Sequence, residues 1–281
     1  MRMFYQVLGL KLKMKIIAIK GGLGNQMFQY AYGRNLELSK KNVLFDVSFY
    51  YGNKSKIDTA RDFKLDNFNI KTSADFSKKK RPLLNLIKKI QYHLNLADNG
   101  FWNSEKYFSD NASAIREEFT LKPPLSKKAE EILSLIKNTK NSISLHIRRG
   151  DYVNDKKTNQ YHGTCDSEYY SKALEYITSK VGNDINLFIF SDDIKWVKEN
   201  MFFGQQSLYP TTYVSSPEIP DYEELILMSK CQHNIIANSS FSWWGAWLNE
   251  NRDKIVIAPK RWALRGENNF KDIVPQGWYR I

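Results

Sequence analysis

Two adjacent arginines at the end of an apolar run are the residues of this chain best suited to bind an anion. Arg148 and Arg149 follow the β-type segment 142–147 and precede Gly150. A guanidinium is a planar fork of N–H donors that matches phosphate or carboxylate oxygens. Ligands of open α/β sheets bind outside the carboxyl ends of the strands. The pattern predicts an anion site, and a surface Arg–Asp pair that merely closes the strand is the alternative.

Neutral polar residues crowd a second predicted strand end. Asn238, Ser239, Ser240 and Ser242 lie within one turn between an apolar run and a helical pattern. Hydroxyl and amide groups at a helix N-terminus favour phosphate, whereas capping a helix needs only one such residue. We therefore expect this segment to meet the same anion. Three tryptophans follow, and they fit core packing equally well: Trp243, Trp244 and Trp247.

A glycine-rich turn between a strand and a helix is the third candidate. Its backbone and side-chain amides can approach an anion or a sugar, and the residues are Gly22, Gly24, Asn25 and Gln26. The turn also resembles a dinucleotide fingerprint, with Asp46 placed as a ribose-binding acid. Met27 occupies the third glycine position of that fingerprint. A Rossmann-type oxidoreductase is therefore kept as an alternative function.

Metal-ligating patterns are weak in this sequence. No acidic pair has the spacing of a divalent-metal cradle, and the nearest candidate is Asp192 with Asp193. Such a pair after a strand can equally cap the next helix or bind a base or a ribose. The two cysteines, Cys165 and Cys231, form no CxxC motif, so neither a zinc cluster nor a disulfide framework is indicated. We expect a reducing compartment and no metal.

The composition describes a folded, basic protein. The chain has 281 residues, and 42 lysines and arginines against 30 acidic residues give a net charge of +12. That excess favours an acidic partner, which can be nucleic acid, an anionic membrane surface or a phosphorylated substrate. A basic nucleic-acid-binding protein is a second alternative, although no recognised binding motif supports it. Residues 1–13 show neither a membrane span nor a secretion signal and are a candidate dispensable extension.

Strands and helices alternate along most of the chain, which predicts an α/β fold with parallel sheets. Between residues 50 and 110 we expect helices and long loops, with an amphipathic segment at 83–96 and an aromatic patch around Phe101. Two Rossmann-like lobes, 1–140 and 141–281, are the simplest organisation, with the ligand in the cleft between them. The predicted strands are 15–20, 43–47, 142–147, 185–190, 234–237 and 254–258, and the predicted helices are 25–41, 127–137, 167–180, 194–201, 221–231 and 241–250.

Four motifs, in this order, make the chain similar to a known family. They are GGLGNQMFQYA from Gly21, HIRRGDY from His146, FSDD from Phe190 and NSSFSWWGAWL from Asn238. Together they resemble glycosyltransferase family 11, the α-1,2-fucosyltransferases, and the segment around Tyr161 looks like its bacterial members. The resemblance implies a GT-B-like fold of two facing Rossmann-like lobes. It also implies GDP-β-L-fucose as donor, a β-galactoside glycan as acceptor, inversion at the anomeric carbon and no metal.

The resemblance also implies roles for single residues. Arg148 grips the donor β-phosphate, Arg149 orders the site by internal pairing, and Asp192 is a partner for guanine or ribose. The remaining donor-binding residues of the C-terminal lobe are His146, Asn238, Ser239 and Ser240. In the N-terminal lobe, which the resemblance makes the acceptor side, the residues that approach the donor are Gly22, Gly24, Asn25 and Gln26.

The catalytic base is not fixed by these motifs. Inversion by direct displacement calls for a carboxylate or imidazole near the acceptor hydroxyl, and the candidates are Asp151, Asp155 and His162. Neighbouring arginines lower the basicity of Asp151, and a loose transition state can proceed with a weak base. The expected setting is synthesis of lipopolysaccharide O-antigen at the cytoplasmic side, where a basic surface suits peripheral contact with an anionic membrane.

Overall fold

The computed structural model describes residues 14–51, 61–72, 100–150, 153, 160–201, 209–265 and 270–281. Residues make most of their contacts within one of two compact units, Met1–Lys122 and Pro123–Ile281. Several features singled out in the sequence lie outside the described residues: the extension 1–13, the amphipathic segment 83–96, Asp151 and Asp155.

The N-terminal unit contains a βαβ element. Strands β1 (Lys15–Ala18) and β2 (Val43–Asp46) pair in parallel, and helix α1 (Leu23–Leu38) connects them. The turn before α1 needs a glycine because Gly21 adopts φ +83°. A second helix, α2 (Ala112–Glu118), packs in the same unit. The predicted β-glycine turn-α-β order is confirmed, with α1 beginning two residues earlier than the pattern at Asn25 indicated.

A buried carboxylate of α2 connects the backbone at Lys71 to α1. Glu118 is 1% exposed, and it accepts hydrogen bonds from the Tyr30 hydroxyl, from Arg34 Nε at 2.9 Å and from the Lys71 amide at 3.2 Å. Burial and the adjacent carboxylate hold the pKa of Tyr30 well above its ordinary value, so its hydroxyl keeps its proton and donates. A buried charge is stable only when it is paired and hydrogen-bonded in this way.

The C-terminal unit is a six-stranded sheet in the order β5-β4-β3-β6-β7-β8, with every pairing parallel. Its elements in chain order are α3 (Lys127–Lys137), β3 (Ser142–Ile147), α4 (Ser167–Val181), β4 (Asn186–Ser191), α5 (Ile194–Asn200), β5 (Thr211–Tyr213), α6 (Asp221–Lys230), β6 (His233–Ile235), α7 (Ser240–Leu248), β7 (Val256–Ala258) and β8 (Tyr279–Arg280). The predicted α/β class with parallel sheets is confirmed.

Helices cover both faces of this sheet. Ile143, Leu145 and Ile147 point to one face, where they pack with the apolar side of α4. On the other face Phe188 and Phe190 of β4 pack with α3 and α6. Because successive strand residues point to opposite faces, a central parallel strand must be apolar throughout or satisfy its polar groups internally. The Ser144 hydroxyl does so by accepting a hydrogen bond of 2.7 Å from Asn234 Nδ2.

The structure adjusts several sequence predictions. The bounds of α3 and β3 are as predicted, and Ser126 caps α3 by accepting a hydrogen bond from the Ala129 amide at 3.3 Å. The short strands β5 and β8 and the helix α2 were not predicted. Helix α3 lies in the C-terminal unit, where it packs on α6, whereas a division at residue 140 placed it in the first lobe.

Candidate active site

The carboxyl ends of three neighbouring strands carry the predicted anion-binding residues. Strand β3 lies between β4 and β6, so the segments that follow these strands meet at one edge of the sheet. Arg148 and Arg149 follow β3, and Asp192 and Asp193 follow β4. Residues 238–242, called the serine segment below, follow β6. The chain adds β4 and β5 on one side of β3 and then returns to add β6 on the other. This is the topological switch point at which open α/β sheets bind ligands.

Arg148 is held by a carboxylate from the adjacent strand end. Its Nη1 lies 3.0 Å from Asp192 Oδ2, and the other carboxylate oxygen accepts a hydrogen bond of 2.8 Å from the Arg149 amide. The side chains of Arg148 and Asp192 are 17% and 24% exposed. A guanidinium with a fixed orientation and a partly open surface can receive an anion without first being ordered. The role of Asp192 toward guanine or ribose stays a prediction, since its carboxylate faces the arginine segment here.

Gly150 makes this pairing sterically feasible. A Cβ at position 150 would lie 2.5 Å from Asp192 Oδ2, well inside van der Waals contact. Any side chain there would displace the carboxylate that orients Arg148. The glycine therefore permits a close approach between two strand ends.

The Arg149 guanidinium contacts Asp193 and Trp196. Its Nε lies 3.4 Å from Asp193 Oδ2, and its guanidinium lies 3.7 Å from the centroid of the Trp196 ring. Asp193 also caps α5 by accepting a hydrogen bond of 3.3 Å from the Trp196 amide. Internal pairing of Arg149 was expected, and the described partners are these two residues. The alternative that the acidic pair caps the next helix holds for Asp193.

His146 is a buried, neutral ring close to the strand end. It is 3% exposed, and its ring centroid lies 5.7 Å from that of Phe241, the second residue of α7. Burial, and then the charge of Arg148, lower the pKa of His146 to about 3. Its Nδ1 has no hydrogen-bond partner among the described residues, whereas its carbonyl accepts a hydrogen bond of 3.0 Å from Tyr170. An uncharged imidazole can offer a hydrogen bond to a ligand but no positive charge.

The serine segment forms the N-terminus of α7. Ser239 caps the helix by accepting a hydrogen bond of 3.3 Å from the Phe241 amide, and Ser242 Oγ donates to the Ser239 carbonyl at 3.4 Å. Ser240 is the first helical residue and is half-buried. The positive end of the helix dipole therefore points toward the carboxyl edge of the sheet. The three tryptophans of α7 are buried and in mutual ring contact, so core packing is their role.

Asn238 was predicted to bind the donor, but its side-chain amide clamps two loops. Nδ2 donates to the carbonyls of His162, Gly163 and Trp262 at 3.1, 3.2 and 3.2 Å. The Cys165 thiol donates to Oδ1 at 3.7 Å. Burial raises the pKa of Cys165 to about 12, so the thiol keeps the proton that this contact needs. The clamp holds the backbone of His162, a candidate base, against the segment that follows β6.

In the glycine turn, the side-chain amide of Gln26 binds the protein's own backbone. Gln26 is fully buried, its Nε2 donates to the carbonyls of Gly21 and Asp62 at 3.1 and 2.8 Å, and its Oε1 accepts from the Lys64 amide at 3.0 Å. Those contacts turn the amide of Gln26 inward, where it holds the segment 61–64. Gly22 caps α1 without a side chain, and Asn25 is half-buried. The sugar-binding roles of Gly22, Gly24 and Asn25 stay predictions.

Three further observations concern the metal, dinucleotide and membrane alternatives. Within the described ranges, no group of three or more His, Cys, Asp or Glu side chains is arranged to hold a metal ion. Asp46, the acid of the dinucleotide alternative, accepts a hydrogen bond of 3.1 Å from the Ser48 amide and so stabilises its own turn. In the same described ranges, no helix combines the length and the apolar character that a membrane crossing requires.

Comparison with known proteins defines the class to which this fold and site belong. The sequence model of Glycosyl transferase family 11 matches residues 5–281. The chain is an enzyme of the glycosyltransferase class, and it belongs to that family. The family favours neither the oxidoreductase nor the nucleic-acid alternative.

Two bacterial relatives are similar over nearly the whole chain, and a human relative is similar over about half of it. The O-antigen biosynthesis glycosyltransferase WbnK of Escherichia coli is 34% identical over 308 residues, covering 94% of this chain and 99% of the relative. An alpha-1,2-colitosyltransferase of Escherichia coli is 35% identical over 295 residues, covering 95% and 98%. The human galactoside alpha-(1,2)-fucosyltransferase 1 is 26% identical over 157 residues, covering 53% of this chain and 42% of the relative.

Two of the residues that matter in this geometry were assigned no role from the sequence, and the third, Asp193, was considered only as a metal ligand, a helix cap or a contact to a base or ribose. Asp193 and Trp196 hold Arg149, and Tyr170 donates to the His146 carbonyl. The FSDD motif followed by a tryptophan was a usable signal for the first two. No local pattern indicated Tyr170, because its contact depends on how α4 packs on β3.

Proposed function

We propose that this protein transfers L-fucose from GDP-β-L-fucose to a galactoside hydroxyl of a glycan and forms an α-1,2 linkage. The observation that carries the proposal is the Arg148–Asp192 pair at the switch point of a parallel sheet, in a chain of glycosyltransferase family 11. A leaving nucleoside diphosphate gains negative charge on its β-phosphate, and an oriented guanidinium stabilises that charge.

The reaction has a simple balance. The acceptor hydroxyl oxygen attacks the anomeric carbon from the face opposite the phosphate, the bond from that carbon to the β-phosphate oxygen breaks, and GDP leaves with the bonding electrons. The hydroxyl proton passes to a base or to water. Attack from the opposite face inverts β to α.

The C-terminal unit supplies the groups for the leaving diphosphate. Arg148 donates to the β-phosphate, and the N-terminus of α7 with Ser239 and Ser240 adds backbone and hydroxyl donors. Asp192 and Gly150 keep the guanidinium in place, and His146 offers an uncharged hydrogen bond. His162 is the candidate base among the described residues, and Asp151 and Asp155 are the other candidates. Because arginine and helix donors can neutralise the diphosphate, we propose that no metal is required.

A second donor follows from one comparison. The relative named alpha-1,2-colitosyltransferase is 35% identical over nearly the whole chain, so transfer of colitose from GDP-colitose is the competing candidate. The two donors share the GDP moiety and differ in the sugar, hence they predict the same phosphate contacts.

The test is transfer with each donor to a panel of β-galactosides that differ in the next sugar. We expect an α-1,2-fucosylated product by NMR, saturable binding of GDP by calorimetry, and full activity in EDTA. Preference for GDP-colitose would select the second candidate. Absence of GDP binding, a β-linked product, or activity that returns only with added metal would contradict the proposal. Binding to vesicles that contain anionic lipid, compared with neutral vesicles, tests the membrane-surface setting.

A further inference from the structure

The aromatic segment at Phe101 and Trp102, in the N-terminal unit, is not part of the site described above. Phe101 is 44% exposed, and Lys20 Nζ lies 4.9 Å from its ring centroid. Lys20 follows β1 and directly precedes the glycine turn at Gly21. The Phe101 ring therefore lies at the carboxyl edge of the β1–β2 pair, beside the turn, and not at an arbitrary point of the surface. That edge is where α/β units receive ligands.

The backbone next to Phe101 is held in an unfavourable conformation. Trp102 has φ +55°, which is a rare left-handed conformation for a bulky residue. Its ring stacks on Tyr32 of α1 with centroids 4.0 Å apart and planes at 21°, and meets Tyr107 edge-on at 5.1 Å. These contacts fix the strained residue. Strain of this kind is retained where the surrounding structure over-determines it, and it concentrates at binding sites.

Two buried polar atoms in the residues that follow Phe101 lack partners among the described residues. Trp102 Nε1 and Asn103 Oδ1 are buried and make no hydrogen bond among the described residues. One is a donor and the other is an acceptor. Buried polar atoms are nearly always paired, and an exception calls for a missing ligand or water. A water molecule or a ligand hydroxyl can pair with either atom, because each hydroxyl donates and accepts.

We propose that Phe101 is the platform on which a neutral pyranose ring of the glycan acceptor stacks. The C–H bonds on the apolar face of a sugar carry partial positive charge, and the face of a phenyl ring carries negative charge. The Lys20 ammonium already uses that attraction, and the exposed part of the ring is available to the sugar. This inference rests on the proposed function, because it names the acceptor subsite of the same enzyme.

The test measures acceptor and donor kinetics separately in matched variants. Phe101→Leu keeps an apolar side chain but removes the aromatic face, and Phe101→Tyr restores it. Leu38→Ala, at the far end of α1 and 37% exposed, is the control for loss of a surface apolar group. We expect Phe101→Leu to raise the acceptor KM by about fivefold or more. The donor KM and the slow hydrolysis of GDP-fucose without acceptor should stay unchanged, and Phe101→Tyr should behave as wild type.

The failures of the two proposals are distinguishable. If wild type transfers fucose but Phe101→Leu has an unchanged acceptor KM, the platform is wrong and the proposed function stands. If wild type transfers no sugar, saturation-transfer NMR with a methyl β-galactoside tests the platform directly. Signal in wild type that is lost in Phe101→Leu supports it, and equal signal or no signal in both overturns it.

Discussion

The Asp192 carboxylate bridges both arginines at the end of β3. Its Oδ2 lies 3.0 Å from Arg148 Nη1, and its Oδ1 accepts a hydrogen bond of 2.8 Å from the Arg149 amide. One carboxylate thus fixes both the Arg148 guanidinium, which we expect to bind phosphate, and the backbone amide of Arg149. Because the donors are oriented before a ligand binds, less conformational entropy is lost on binding.

Replacing Arg148 with lysine should remove most transfer although the charge is kept. A lysine ammonium lacks the planar fork of donors and cannot form two parallel hydrogen bonds to a phosphate. We expect kcat/KM for the donor to fall by about a hundredfold or more. Steady-state kinetics with GDP-fucose measure the effect, and Arg252→Lys, at an exposed arginine, is the matched control. Near wild-type turnover in Arg148→Lys would contradict the phosphate role.

Gly150→Ala should weaken GDP binding while the protein stays folded. The added Cβ collides with Asp192 Oδ2 and displaces the carboxylate that orients Arg148. Calorimetric titration should show about a tenfold weaker affinity for GDP. The control is Gly277→Ala, because a Cβ at position 277 meets no atom within 4 Å. Wild-type affinity in Gly150→Ala would mean that the Asp192 contact is dispensable.

Asn238→Ala should lower the stability of the fold more than it weakens donor binding. The substitution removes the donor to the carbonyls of His162, Gly163 and Trp262, and we expect a loss of about 2–3 kcal/mol in the free energy of unfolding. Denaturant titration measures it. Asn141→Ala, which removes a single exposed hydrogen bond to the Asp184 carbonyl, should cost much less. Unchanged stability with weakened GDP binding would favour direct donor contact instead.

Stability should fall on mild acidification because of His146. Its pKa is lowered from 6.5 to about 3 in the folded state, so below about pH 6.5 the unfolded chain binds a proton that the native chain does not. The unfolding free energy should drop by about 2 kcal/mol between pH 6.5 and 5 on this account. His233 has a lowered pKa and contributes in the same direction.

The His146→Gln variant isolates the contribution of that ring. Urea titrations at several pH values should show a shallower pH dependence in the variant than in wild type, since the contribution of His233 remains in both. Parallel pH profiles would show that His146 takes up a proton while the protein is folded, and would contradict its assignment as a buried neutral group.

Local sequence patterns were sufficient for the long elements. The segment SISLHI is apolar enough to predict β3, and Ser126 before an amphipathic run predicts α3 with the bounds observed. Strand β5 has three residues and β8 has two, too few for a periodic signal. Their extended conformation depends on hydrogen bonds to β4 and β7, which are formed only when the sheet assembles.

For the site, the sequence by itself determined which chemical groups are present and which family they belong to. Two arginines, an acidic pair and a serine-rich helix start are residue types whose chemistry does not depend on the fold. The tertiary structure alone decided their partners. The pairing of Ile147 with Ser191 across β3 and β4 places Asp192 against Arg148 and Gly150. Gln26 and Asn238, predicted as ligand-binding amides, use those amides on backbone carbonyls distant in the chain, because a buried polar group must find a partner wherever the packing supplies one.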